Sequence, residues 1–146
     1  MLREIQQGDI PLCGELYAKA FPKEYWGVDW SAERACEYLQ DYMEQKRFVG
    51  YVYEKAESVQ GAIFACGKIS GCREKIYINE MMVLPDLQGK GIGKILLNAI
   101  KSYSEQHGFA GVVLYTSEYA PAMKFYEKNG FQISKGEVCM FSQHKA

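Results

Sequence analysis

Three glycines in five residues, Gly89, Gly91 and Gly93, stand between an apolar strand-like run (76–84) and an amphipathic helix-like run ending near Gln106. Glycine costs backbone entropy, so such a cluster marks a backbone that turns tightly or approaches something closely. A nearly continuous apolar run at 111–116 follows and fits a buried strand. Strand, loop, helix and strand make one crossover, which belongs in a sheet with some parallel pairing. The preceding strand-like runs, Phe48–Lys55, 61–68 and 76–84, are joined by short polar connections, as in an antiparallel meander.

The rest of the chain fits around that unit. Residues 3–5 read as a first strand. Asp9 can cap a helix that Pro11 pre-shapes and that runs to about Ala20. Residues 21–30, FPKEYWGVDW, are aromatic and interrupted by Pro22 and Gly27, which predicts a loop or short turn. Ser31 can cap a helix whose apolar positions are Ala32, Ala35, Cys36, Leu39 and Met43. The helix after the glycines presents Ile92, Ile95, Leu96, Ala99, Ile100 and Tyr103 on one face, and Gly108 stops it. Pro121 opens a last helix to about Asn129, Gly130 ends it, and 131–134 and 137–142 read as closing strands. The expectation is an α/β fold in one domain, residues 1–146. It has a mixed, mostly antiparallel sheet of about six to seven strands flanked by about four helices.

Composition excludes several classes. Net charge is −1 with acids and bases interspersed, so no basic face invites nucleic acid. No apolar run reaches the length of a membrane span, and MLREIQQGDI has no apolar core for a secretory signal. The five cysteines form no CxxC pair and the two histidines are far apart. Reduced thiols, a cytoplasmic location and no metal site are expected.

The loop itself suggests an anion. At a helix N-terminus up to four N–H groups lack helical partners, and absent side chains let a phosphate reach them. Lys90 and Lys94 add charge nearby. A P-loop is excluded because Lys94 is followed by Ile95 rather than Ser or Thr, and a dinucleotide fingerprint because Lys94 stands where its last glycine belongs.

The segment Val83-Leu84-Pro85-Asp86-Leu87-Gln88-Gly89-Lys90-Gly91-Ile92-Gly93 resembles motif A of the GNAT N-acetyltransferase superfamily, Gln/Arg-x-x-Gly-x-Gly after V-x-P. Ala122-Met123-Lys124-Phe125-Tyr126-Glu127-Lys128-Asn129-Gly130-Phe131 resembles its motif B. The resemblance implies the GNAT acyl-CoA N-acyltransferase fold, with acetyl-coenzyme A as cosubstrate. It implies that the backbone of Gln88, Gly89, Lys90, Gly91, Ile92, Gly93 and Lys94 wraps the pyrophosphate. Met81, Met82 and Val83 would pair with the pantetheine arm, and Ala122 would also touch the cofactor. A bulge would splay the strand before the loop from the strand at 111–116. Many members carry Asn seven residues before the motif B tyrosine; here Tyr119 stands there, a departure from the family pattern.

Acetyl transfer to an amine needs a proton acceptor, since an alkyl ammonium has a pKa around 10. Glu80 interrupts the apolar strand IYINEMMV and, under strict alternation, shares a face with Ile78 and Met82. It is the expected base, with Glu118 as a weaker alternative. The resemblance casts Tyr126 as the acid for the departing thiolate and a backbone N–H of Met82 or Val83 as oxyanion donor. Tyr25, Trp26, Trp30 and Glu80 are expected to hold the acceptor amine, because aromatic faces and a carboxylate both favour a cation. The pattern before the second helix loosely resembles aminoglycoside 6′-N-acetyltransferase-like members. A small amine, an aminoglycoside-like compound, a polyamine or a peptide all fit. The expected reaction is direct attack in a ternary complex. The alternative is a non-catalytic GNAT module that binds acyl-coenzyme A as a sensor or partner domain. A longer acyl donor is a variant of the enzyme reading. The family often dimerises, but no seam in the sequence demands a homodimer.

Overall fold

Alternating apolar residues and tight two-residue turns build the middle of the chain into a meander. The computed structural model describes residues 1–144, with the backbone alone at Glu24 and Tyr25. It divides into two compact units, Met1–Tyr115 and Thr116–Ala146.

In the first unit the elements are β1 (Leu2–Glu4), α1 (Ile10–Ala20), α2 (Lys23–Trp26), α3 (Ala32–Met43), β2 (Phe48–Lys55), β3 (Ser58–Ser70), β4 (Arg73–Val83), α4 (Ile92–Gln106) and β5 (Val112–Leu114). The sheet order is β1-β2-β3-β4-β5. Neighbours are antiparallel except β4 and β5, which the α4 crossover makes parallel. Ala56 and Glu57 link β2 to β3 with both residues left-handed (φ 51° and 60°), the conformation a two-residue hairpin demands.

Ala62, Phe64 and Met82 point to the side covered by α1 and α3, where they meet Leu16, Ala35 and Leu39. The alternate residues of β3 point to α4: a Cβ on Gly61 would lie 3.0 Å from Ile92 Cγ2. α1 and α3 lie close because Gly14 has no side chain; a Cβ there would fall 2.3 Å from Cys36 Sγ. Ser31 caps α3 by accepting the Arg34 N–H at 3.1 Å.

Several expectations change. Asp9 does not cap α1 with its side chain. Its carboxylate turns back to the Gln6 N–H (2.7 Å) and takes a bidentate pair from Arg3 (2.8 and 2.9 Å), a stronger set of charged donors. In α4, Leu97 is fully buried and Ile95 is 39% exposed. Burial extends from the Ile92–Leu96–Ile100 line to the Leu97 and Ser104 flank and not to Ile95, which displaces the face by one residue. The 21–30 segment holds the short helix α2. β5 is half-buried rather than buried, because it is the sheet's edge.

The second unit holds α5 (Ala122–Lys128), entered from Pro121 and followed by Gly130 in the left-handed region (φ 91°). Residues 131–144 carry no strand, so the sheet has five strands and not six or seven. Val138, Met140 and Phe141 are each more than 80% exposed. Alternating hydrophobicity makes a segment able to pair, but a strand exists only where a ladder partner takes its N–H and C=O groups.

Candidate active site

The path from β4 into α4 is set by local backbone chemistry. Pro85 starts a single 3₁₀ turn, Pro85–Leu87, with the Leu87 N–H on Leu84 O at 2.9 Å. Gly89 and Gly91 are left-handed (φ 79° and 92°), and open space lies where each would carry a Cβ. Gln88 N–H reaches Pro85 O at 3.3 Å. The N–H groups of residues 89–94 meet no protein acceptor among the described residues, and no side chain caps α4. Exposed Lys90 and Lys94 flank them. Unpaired main-chain donors, the positive end of a helix and two ammonium groups form a cradle for a polyanion. Ile92, by contrast, buries its side chain in the core and offers the loop only its backbone.

Just before the loop the sheet divides. β4 and β5 pair only over Ile76↔Val112, Tyr77↔Val113 and Ile78↔Leu114. β5 then ends while β4 runs on to Val83. At the same place β4 carries an extra residue: Phe64 faces Glu80 and Ala65 faces Ile78, so Asn79 is bulged. The Leu84 N–H donates to Gln60 O at 2.9 Å, towards β3. Antiparallel alternation then turns Met82 towards β3, and Val83 and Met81 outwards. The side chain of Gln88 takes Val83 O at 3.2 Å. The Val83 N–H and both polar groups of the Met81 backbone remain on the free edge.

The bulge also decides where Glu80 points. Strict alternation put Glu80 on one face with Ile78 and Met82. The extra residue breaks that parity, so Glu80 shares the α1/α3 face with Met82, while Ile78 pairs with Ala65 and turns away. There the Glu80 carboxylate accepts two phenol hydrogens on the same oxygen, from Tyr38 at 2.5 Å and Tyr17 at 3.1 Å. No described donor reaches Oε2, and no buried side-chain oxygen or nitrogen of the described residues is left without a partner, so Oε2 keeps some exposure to solvent. Burial pushes the Glu80 carboxyl above the ordinary carboxylate range, and the two hydroxyls pull it partly back. Burial also raises both phenols, with the Glu80 charge adding to it, so both stay protonated donors at neutral pH.

Aromatic rings wall this carboxylate. Trp30 lies 5.0 Å from Tyr17, edge-on, and 5.0 Å from Tyr38. Trp26 packs on Phe21 at 5.4 Å, one ring further from the carboxylate. The side chain of Tyr25 lies outside the described residues. Tyr17, Tyr38 and Tyr42 were missed by the sequence reading, which gave the buried stripe of α3 to smaller residues. The available signal was the i, i+4 pair of amphipathic tyrosines, but nothing local says which strand's acid they meet.

In the second unit, Ala122 is the first residue of α5 and Tyr126 lies in its third quarter. The Tyr126 ring packs edge-on against Phe125 (5.3 Å) and Phe131 (5.7 Å), and the Phe131 N–H closes on Tyr126 O at 3.0 Å. Glu118 and Tyr119 precede the helix and are exposed. All five cysteines are free thiols; burial pushes that of Cys13 up to about 12, which removes its nucleophilic thiolate at neutral pH. Among the described residues no group of three His, Cys, Asp or Glu side chains could hold a metal ion, and no helix is long and apolar enough to cross a membrane.

Comparison with known proteins agrees with this geometry. An uncharacterized N-acetyltransferase of Methanocaldococcus jannaschii is 32% identical over 137 residues, which are 90% of this chain and 60% of that protein. The mycothiol acetyltransferase of Rhodococcus opacus is 30% identical over 90 residues, 61% of this chain and 27% of that protein. The chain thus spans less than two thirds of these relatives' lengths. An aminoglycoside 6′-N-acetyltransferase from Acinetobacter haemolyticus superposes with a TM-score of 0.78 at 12% identity, over 100% of this chain and 99% of that one, a likeness of fold. The acetyltransferase (GNAT) domain matches residues 46–133, from before β2 through the split strand, the glycine loop and α5. That match, laid over a bulged β4 that hands unpaired amides to α4, makes the chain a member of the GNAT acetyltransferase family.

Proposed function

We propose that this chain is an N-acetyltransferase that moves the acetyl group of acetyl-coenzyme A to a primary amine by direct attack in a ternary complex. The observation that carries the reading is the row of unpartnered amides at residues 89–94, ending a strand whose outer edge is free. The fit to the cosubstrate is chemical. A diphosphate suits main-chain donors at a helix N-terminus, and an amide-bearing arm suits the open backbone groups of Met81 and Val83 as an added strand. Acetyl-coenzyme A supplies an activated thioester; the chain supplies grip, orientation and proton handling. Ala122 and the backbone of Gln88, Gly89, Lys90, Gly91, Ile92, Gly93 and Lys94 belong to the grip. Outward Val83, rather than Met82, has the N–H available to the thioester carbonyl, since Met82 addresses β3.

Glu80 takes the proton of the acceptor ammonium, directly or through water, and its raised pKa makes it a better base than an ordinary carboxylate. Tyr126 supplies the proton for the departing thiolate. Trp26, Trp30 and Tyr25 flank the amine. Burial of Cys13 and Cys66, which raises both thiols, argues against an acyl-enzyme on either of them. The GNAT match runs through both compact units, which supports reading 1–146 as one acetyltransferase domain.

The test is a panel of amines with acetyl-coenzyme A, followed by release of free thiol. It is paired with calorimetric titration of coenzyme A into the protein and into Gly91→Glu. Thiol release that depends on an amine, with binding lost in the variant, is expected. Coenzyme A affinity unchanged by Gly91→Glu would remove the loop from the reading.

A further inference from the structure

Glu80 is a half-buried carboxylate with no cation beside it among the described residues. The groups that face it are Tyr17 from α1, Tyr38 from α3 with Tyr42 behind it, and Phe64 across the ladder on β3, which does not titrate. Among the described residues no lysine, arginine or second carboxylate acts on it. A buried charge without a counter-ion is costly unless hydrogen bonds hold it.

The direction of those hydrogen bonds can be worked out. Tyr38 has one hydroxyl proton and gives it to Oε1 at 2.5 Å. Its oxygen lies 3.1 Å from that of Tyr42, so Tyr42 is the donor in that pair. Tyr17 gives its own proton to the same Oε1 at 3.1 Å. Tyr42 therefore donates to Tyr38, and Tyr38 and Tyr17 both donate to the one carboxylate oxygen Oε1. Trp30, packed on both Tyr17 and Tyr38, and the Tyr17–Tyr38 contact at 5.6 Å keep the two phenols converged.

Resting on the reading of Glu80 as base, we propose that Tyr38 and Tyr17 are positioning residues. From two different helices they hold Oε1 and keep the carboxylate ionised, and so present Oε2 to the acceptor ammonium. The missing cation is then the substrate's. On transfer, one N–H bond of the ammonium breaks and an O–H bond forms at Oε2. The electron pair stays on nitrogen for attack, and the proton leaves from Oε2 to solvent.

The experiment compares pH profiles of kcat/KM for wild type, Tyr38→Phe, Tyr17→Phe, the double variant and Glu80→Gln. The Glu80 carboxyl is also titrated directly by NMR with labelled glutamate. Removing a donor to the anion favours the protonated form. The carboxyl titration and the rising limb should therefore move up by about one pH unit in Tyr38→Phe, less in Tyr17→Phe and further in the double variant. A packing role alone would lower the high-pH plateau and leave the titration where it was. A carboxyl titration unmoved in Tyr38→Phe overturns the proposal, even if Glu80→Gln abolishes the limb and so upholds the base. A limb that survives in Glu80→Gln sinks the base reading itself. Should the double variant not fold, the two single-variant titrations decide.

Discussion

The last residues of β4 and the loop that follows them do opposite electrostatic work with opposite materials. At the loop, positive potential comes from main-chain N–H groups, and side chains are absent so that a ligand can approach. A few residues earlier, negative charge comes from one side chain, Glu80, whose surroundings are supplied by the side chains of α1, α3 and β3. A main-chain site is written in consecutive residues. A side-chain site is assembled from elements far apart in sequence: Tyr17 and Tyr38 lie 63 and 42 residues from Glu80. The first can be found in a sequence as a motif. The second is reached only through the packing.

Substitutions at each end should separate accordingly. Glu80→Gln carries the largest expected effect, a fall in kcat/KM of about a hundredfold to ten-thousandfold with coenzyme A affinity retained. Its pH profile loses the rising limb, which in wild type lies above the ordinary glutamate range because the folded-state pKa is raised. The sign for stability follows. The folded state holds this proton more tightly than the unfolded chain, so wild type loses stability as pH rises from the unfolded pKa through the folded one. Glu80→Gln lacks that loss, so its Tm advantage over wild type should grow with pH across that window. An advantage constant with pH would mean the carboxylate is not buried as described.

Gly91→Glu should weaken coenzyme A by about a hundredfold, through the loss of charge-assisted hydrogen bonds and the arrival of a negative charge. Because Gly91 is left-handed, the variant also strains α4's start by about 1 kcal/mol, so circular dichroism must show the fold retained before the affinity is read. Tyr126→Phe is expected to lower kcat about tenfold with little change in the KM for acetyl-coenzyme A. An unchanged kcat would leave the acid elsewhere.

The smallest effect sharpens the contrast from the main-chain side. Ala56 and Glu57 occupy the left-handed conformation that Gly89 and Gly91 occupy, without being glycine. Glu57→Gly should raise stability by about 0.5 to 1 kcal/mol in a denaturant titration and leave coenzyme A affinity untouched. A loss of stability would show that this turn is held by something other than its backbone angles.

Much of the architecture was legible before any coordinates. The meander, the crossover helix, the Ser31 cap and the left-handed glycines after α4 and α5 rest on interactions within a few residues, and the structure has them. The Asp9 failure is local: its carboxylate turns back to the Gln6 N–H and to Arg3, six residues away, rather than forward into α1. The other failures arise where segments pair. The 131–134 and 137–142 runs alternate like strands, yet pairing is a property of two segments, not one. The single bulged residue Asn79 reversed the face of everything before it on β4, and no period in the sequence announces a bulge.

The sequence by itself determined the loop: three glycines between a strand and a helix leave amides unpaired wherever that helix packs, because the geometry is local. Only the tertiary structure decided what kind of acid Glu80 is. Its ionisation depends on which rings cover it and which hydroxyls reach it. Those come from α1 and α3, which the chain brings to β4 only by folding.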